Sequence, residues 1–212
     1  MNLAVFASGG GSNLQSILES IKAGALDARV VVVITDRTSA GALQRAAAAG
    51  VPGVIIQPST LPDVSAFDDA LQLALRDHGA TFIALAGYLK QVPAGVIRTF
   101  RHRILNVHPA LLPAFGGKGL YGRKVHEAVL AHGVRWTGAT VHLVDEEYDT
   151  GPIVLQEPVP VHQDDTPESL AARVLTVEHR LYPRALQLFA QDRIRIDGRR
   201  VFIDDEPPAG QP

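Results

Sequence analysis

The sequence predicts an α/β fold: a Rossmann-like, mostly parallel sheet with helices on both faces. Two observations predict it. Short β-branched runs alternate with amphipathic helical stretches through the first half of the chain, the pattern of strands joined by crossover helices. Those runs are apolar at almost every position, as strands covered on both faces must be.

The elements follow in order. Residues 3–7, 30–34, 54–57 and 82–86 read as strands, with helices between them at 13–23, 40–49 and 65–77. Strands continue at 104–108 and 139–144, joined by a helix over 124–132. After Asp149-Thr150-Gly151 comes a strand at 153–161. A long helix then starts with Thr166 as N-cap and Pro167 at its first position. Leu170, Val174, Val177 and Leu181 repeat at helical spacing as its buried stripe. Pro183 lacks an N–H and crowds the carbonyl of His179, so a kink is expected there. Residues 194–196 and 201–203 form a hairpin turned at Asp197-Gly198. Residues 1–204 are read as one domain in two halves, 1–100 and 101–204, and the polar, Pro-rich 205–212 as a flexible tail.

Composition narrows the function. With 212 residues, 46% of them hydrophobic, the chain can bury a full core. It contains no cysteine, which removes disulfides, a thiolate nucleophile and cysteine–zinc sites. A net charge of −2 gives no electrostatic footprint for nucleic acid. No apolar run approaches the ~20 residues of a membrane helix, and residues 1–5 read as a strand rather than a signal peptide. The expectation is a cytoplasmic enzyme with small-molecule partners, no nucleic acid and no membrane.

Two groups of residues carry chemistry. Ser8-Gly9-Gly10-Gly11-Ser12-Asn13-Leu14 leaves the first strand and opens the first helix. Its glycines let backbone amides approach a ligand, and Ser12 with Gln15 fits a capping box. A helix N-terminus of this kind suits an anion of monophosphate size; a tight turn with no ligand fits the loop equally well. Leu14 stands where a dinucleotide fingerprint needs glycine, and no Lys-Ser/Thr pair closes a Walker loop.

The second group is Asn106 and His108, two apart at the end of a strand and therefore on one face. Polar groups on a strand otherwise reading as core are costly unless paired or functional. Asn can donate to a carbonyl oxygen and His can move a proton near neutral pH. Asp149 follows a later strand and would orient His108, or else serve as a turn or cap residue. In a parallel sheet the segments after successive strands gather at one edge, where ligands bind; the glycine loop, 87–92, 106–109 and 145–151 all follow strands. His126-Glu127 with His132 misses the zincin spacing and reads as helix surface, and the eight histidines form no metal cluster.

These motifs, with Leu85-Ala86-Gly87-Tyr88-Leu89-Lys90, Asn106-Val107-His108-Pro109, Gly138-Ala139-Thr140-Val141-His142, Asp149-Thr150-Gly151-Pro152 and Glu178-His179, resemble the glycinamide ribonucleotide formyltransferases of purine biosynthesis along nearly the whole chain. The resemblance implies 10-formyltetrahydrofolate as donor and 5-phosphoribosylglycinamide as acceptor, with no metal, and is compatible with a homodimer. It implies that Gly11, Ser12 and Asn13 hold the acceptor phosphate, that Glu178 fixes the glycinamide end, and that the first half serves the phosphate substrate and the second the folate and catalysis. The folate would lie against the backbone of Leu89, Lys90, Gln91 and Val92, beside Asn106 and the loop ending at Asp149. Asn106 and His108 would polarise the formyl carbonyl, and Asp149 would raise the His108 pKa above its usual ~6.5. His142 would support the others from behind.

The chain departs from that pattern at Lys90, where the family often has Arg, at Ala110 in place of a common Ser, and at Val64 in place of a basic residue toward the folate tail. Methionyl-tRNA formyltransferase shares the chemistry but is expected to carry an additional basic C-terminal domain, and formyltetrahydrofolate hydrolase an N-terminal regulatory one. A non-catalytic phosphosugar-binding domain would need only the glycine loop, and a nicotinamide dehydrogenase would need the missing fingerprint.

Overall fold

The computed structural model describes residues 1–204, so the expected flexible tail, 205–212, lies outside the described residues. Strands β1 (Asn2–Phe6), β2 (Arg29–Thr35), β3 (Gly53–Ile55), β4 (Phe82–Leu85), β5 (Ile104–His108), β6 (Trp136–Leu143) and β7 (Ile153–Pro160) form one sheet in the order β3-β2-β1-β4-β5-β6-β7. The pairs from β3 to β5 are parallel, while β5–β6 and β6–β7 are antiparallel. Helices are α1 (Ser12–Lys22), α2 (Gly41–Ala48), α3 (Val64–Asp77), α4 (Ala94–Thr99), α5 (Arg123–Ala131) and α6 (Pro167–Ala190). A hairpin, β8 (Ile194–Asp197) with β9 (Arg200–Ile203), follows them.

Alternation along the strands divides the interior into two cores. Leu3 and Val5 of β1 pack with α1, α2, α5 and α6, whereas Ala4 and Phe6 pack with α3 and α4, the period of two expected of an extended chain. On the α3/α4 side the buried core reaches β5 only at Ile104. The same face of β5 beyond Ile104 is therefore left to loops, and it is there that Asn106 and His108 project.

α6 locks the two parts of the sheet together. The Thr166 hydroxyl accepts from Ser169 N at 3.2 Å and the Ser169 hydroxyl accepts from Thr166 N at 3.0 Å, with Pro167 in the first turn, so two orphan amides are satisfied reciprocally. The helix continues past Pro183 to Ala190. Tyr182, fully buried, donates its hydroxyl to the carbonyls of Leu105 (2.9 Å) and Leu85 (3.1 Å), tying α6 to neighbouring strands β5 and β4.

Several local readings change. The N-cap of α1 is Gly11, left-handed at φ 76°, with no side-chain cap; Ser12 is the first helical residue, and Gln15 bonds Glu19 and Arg45 instead of closing a capping box. The hairpin pairs Asp197 with Arg200, so its two-residue turn is Gly198-Arg199 rather than Asp197-Gly198. β6 starts at Trp136, because Gly138 inside it admits the carbonyl of Glu157 and the side chain of Leu111 where a Cβ would sit. The six-residue α4 and a 3₁₀ turn at Pro58–Thr60 were too short to show periodicity in the sequence.

Tyr182→Phe is expected to cost about 1–2 kcal/mol, since both carbonyls lose a buried donor. Urea denaturation of the two proteins measures it, and an unchanged midpoint would remove the hydroxyl from the account of stability.

Candidate active site

The antiparallel switch at β5–β6 builds the site. Asn106 lies opposite His142 and His108 opposite Thr140, so four polar side chains share one face of two strands. Asn106 Nδ2 is 3.0 Å from His142 Nε2 and 3.5 Å from Asp149 Oδ1. The His142 Nδ1 lies 2.8 Å from the Leu143 carbonyl, and its Nε2 faces both Asn106 Nδ2 and Asp149 Oδ1. The His108 Nε2–H donates to the Phe115 carbonyl at 2.9 Å, while Nδ1 faces Asp149 Oδ2 at 3.5 Å. Asp149 also accepts from Gly117 N at 2.9 Å and lies 3.6 Å from His142 Nε2.

Burial sets the protonation states. It pushes His108 below its ordinary value, and neighbouring His142 adds to the lowering; the Asp149 charge and the Phe115 carbonyl pull upward without overcoming them. The expectation that Asp149 would carry His108 above its usual value is therefore reversed, because the ring is almost wholly enclosed. Burial alone would raise the Asp149 carboxyl, but the hydrogen bond to His142, the charge of His108 and the Gly117 amide together hold it below the usual range. A neutral His108 beside an ionised Asp149 is the resting arrangement.

Asp149 arrives by a different route from the one expected. Since β6 is antiparallel, it ends at the start of β5, with Leu143 opposite Leu105 and Val144 N bonded to the Ile104 carbonyl. Loop 144–152 thus leaves from the far end of the sheet and folds back over its open face. Asp149 takes a left-handed backbone, φ 58°, and Gly151 presses so closely on the Leu143 carbonyl that a Cβ would collide with it.

The glycine loop stands beside the segment after β4. Ser8 N donates to the Gly87 carbonyl at 3.1 Å, and the Ser8 hydroxyl accepts from Leu89 N at 2.9 Å. Gly11 combines positive φ with a close approach, since a Cβ there would lie 2.9 Å from the Ala42 Cα. Asn13 Nδ2 donates to Glu178 Oε2 at 2.7 Å. Both side chains are buried, and burial raises the Glu178 pKa while the Asn13 hydrogen bond opposes it.

One cavity of about 820 Å³ joins these groups: Asn13 and Glu178 at one part of its wall, Leu89, Lys90, Gln91 and Val92 at another, and Asn106, His108 and Asp149 between. Gly11 and Ser12 do not line it; Ser12 faces a separate groove with Arg45 and His179. The Leu89 amide is engaged by Ser8, the Lys90 ammonium lies 3.8 Å from buried Asp36, and the Gln91 amide donates to the Glu146 carbonyl at 3.0 Å. His126, read from the sequence as helix surface, is buried on the cavity wall. Its position on the apolar stripe of Val125, Val129 and Leu130 was the overlooked signal. Among the described residues no group of three or more His, Asp or Glu could hold a metal, and no helix is long and apolar enough to cross a membrane.

Comparison with known proteins agrees with this architecture. Phosphoribosylglycinamide formyltransferase, chloroplastic, of Vigna unguiculata is 47% identical over 209 residues, 97% of this chain and 67% of that protein. The phosphoribosylglycinamide formyltransferase of Bacillus subtilis is 36% identical over 87% of this chain and 92% of its own. The crystal structure of glycinamide ribonucleotide transformylase 1 from Symbiobacterium toebii superposes with a TM-score of 0.92 at 45% identity, covering 97% of this chain and 94% of the other. Residues 1–186 match the formyl transferase family, and the chain belongs to that family.

Proposed function

We propose that this chain transfers the formyl group of 10-formyltetrahydrofolate to the amine of 5-phosphoribosylglycinamide, in de novo purine biosynthesis. The observation that carries the reading is the meeting of Asn106, His108 and Asp149 in one cavity with the Asn13–Glu178 pair and the 89–92 segment. Named relatives at 36–47% identity support it. The same reading carries a cytoplasmic location, which cell fractionation decides.

The cavity fits a folate in kind. Its size lies in the range of small-molecule sites, and Leu85, Leu89, Val92 and Val144 give it apolar walls for a flat heterocycle. The folate supplies an activated formyl carbon. Asn106 Nδ2 donates to the formyl oxygen as negative charge develops there. The His108 Nε2–H, held by the Phe115 carbonyl, is a second donor once that carbonyl gives way. Glu178 fixes the glycinamide end, and the amides at Gly11, Ser12 and Asn13 meet the phosphate at the α1 N-terminus. As the new C–N bond forms and the old one breaks, the amine loses a proton and the folate nitrogen gains one. Neutral His108 relays that proton, and ionised Asp149 stabilises the imidazolium formed on the way.

His108→Ala should lower kcat by about 10²–10⁴-fold with KM little changed, because the donor acts mainly in the transition state. Steady-state kinetics on the folded variant measure this; near-normal kcat would remove His108 from the chemistry. Asp149→Asn should shift the His108 titration further down. The sign follows from the carboxylate favouring the charged ring: without it, protonation requires lower pH. An NMR titration in which the His108 pKa stays put or rises would break the pairing.

Acceptor affinity should depend on the phosphate. A dephosphorylated glycinamide riboside should bind far more weakly while folate affinity holds. Ser12→Asp should keep the fold, since an acid at the helix start is favourable, yet repel the phosphate. Calorimetry with both acceptors tests it: equal affinities on the wild type would reduce the glycine loop to a turn.

A further inference from the structure

The hairpin β8–β9 lies beyond the part of the chain that matches the family, residues 1–186, yet its turn touches the loop that carries Asp149. The guanidinium of Arg199 donates through Nη2 to the Thr150 carbonyl at 2.6 Å. Thr150 is the neighbour of Asp149, whose backbone is in the left-handed region at φ 58°. Inside the loop, Asp145 Oδ1 accepts from the Thr150 hydroxyl at 2.7 Å and from Glu147 N at 3.3 Å. From the cavity side Gln91 holds the Glu146 carbonyl. Arg199, exposed and outside the cavity lining, grips the loop at Thr150. The two ends of the hairpin are tied together, with Arg193 Nε donating to the Asp204 carbonyl and Asp204 N to that of Arg193.

We infer that Arg199 is a positioning residue for the formyl transfer, holding the Thr150 carbonyl so that the Asp149 carboxylate stays against His108, Asn106 and the Gly117 amide. This rests on the proposed function for its kinetic consequences and on geometry alone for the rest. Arg199 touches neither substrate nor the reacting atoms, and its side chain is exposed, so its loss leaves the core intact. It acts by narrowing the positions of one carboxylate whose useful range is small.

The test compares Arg199→Ala, Arg199→Lys and Arg200→Ala, the last altering the adjacent cation, which lies over the Phe202 ring. Arg199→Ala should lower kcat about tenfold, the scale of one charge-assisted hydrogen bond, with little change in either KM. Arg199→Lys should recover most of that loss, and Arg200→Ala should match the wild type. In an Asp149→Asn background, Arg199→Ala should add no further loss, because the two act through the same carboxylate.

The His108 titration by NMR gives an independent sign. Removing a nearby cation raises a histidine pKa by Coulomb's law, whereas displacing the Asp149 carboxylate lowers it; positioning requires the lower value in Arg199→Ala. An unchanged or raised His108 pKa, or an equal loss in both backgrounds, overturns the inference. If the wild type transfers no formyl group at all, the proposed function falls, and the titration, read without substrates, still decides this one.

Discussion

Three polar side chains, Asn106, His108 and His142, project from one face of β5 and β6, and the surrounding structure is organised by the need to pair them out of water. Left alone there they would carry the penalty of unsatisfied buried groups. Asp149 gathers them: a single carboxylate accepts from Asn106 and lies within 3.5–3.6 Å of all three. The backbone of Phe115, Gly117 and Leu143 takes up other hydrogen-bonding positions of the cluster. Loop 144–152 returns across the sheet to deliver that carboxylate, and helices stop short of the same face to admit it.

The electrostatic outcome follows from enclosure. A carboxylate beside an imidazole ordinarily favours the charged ring, and here its influence is upward, but burial outweighs it. In the proposed transfer, a histidine neutral at rest accepts a proton, and the carboxylate, too weak to charge the ring beforehand, stabilises it once charged. The same balance at Glu178, raised by burial and restrained by Asn13, places a second tunable group at the other part of the cavity wall.

Mechanical coupling across the molecule uses few contacts. The Ser8 hydroxyl joins the glycine loop to the Leu89 amide, so the proposed phosphate and folate regions are directly linked. Tyr182 spans β4 and β5 from α6, on the helix that also carries Glu178. Both halves of the cavity are thereby referenced to the same two central strands, and a bisubstrate reaction needs its partners held in a fixed relation.

The sequence by itself determined the order and type of the long elements, the N-cap of α6, and many of the residues that meet in the cavity, Asn106, His108, Asp149, Asn13 and Glu178 among them, because those rest on local patterns: apolar runs, helical spacing, an N-cap followed by proline, and motifs with fixed side-chain chemistry. It also placed Asn106 and His108 on one face, since the strand period is local. Tertiary structure alone decided the direction of β6, which no residue in that strand specifies and which sends the Asp149 loop round from the far end. It decided that His126 is buried, that Gly11 rather than Ser12 caps α1, and that Arg199 reaches Thr150. It also reversed the His108 pKa, because a shift depends on how much water the whole fold removes from the ring, and no window of neighbouring residues contains that quantity.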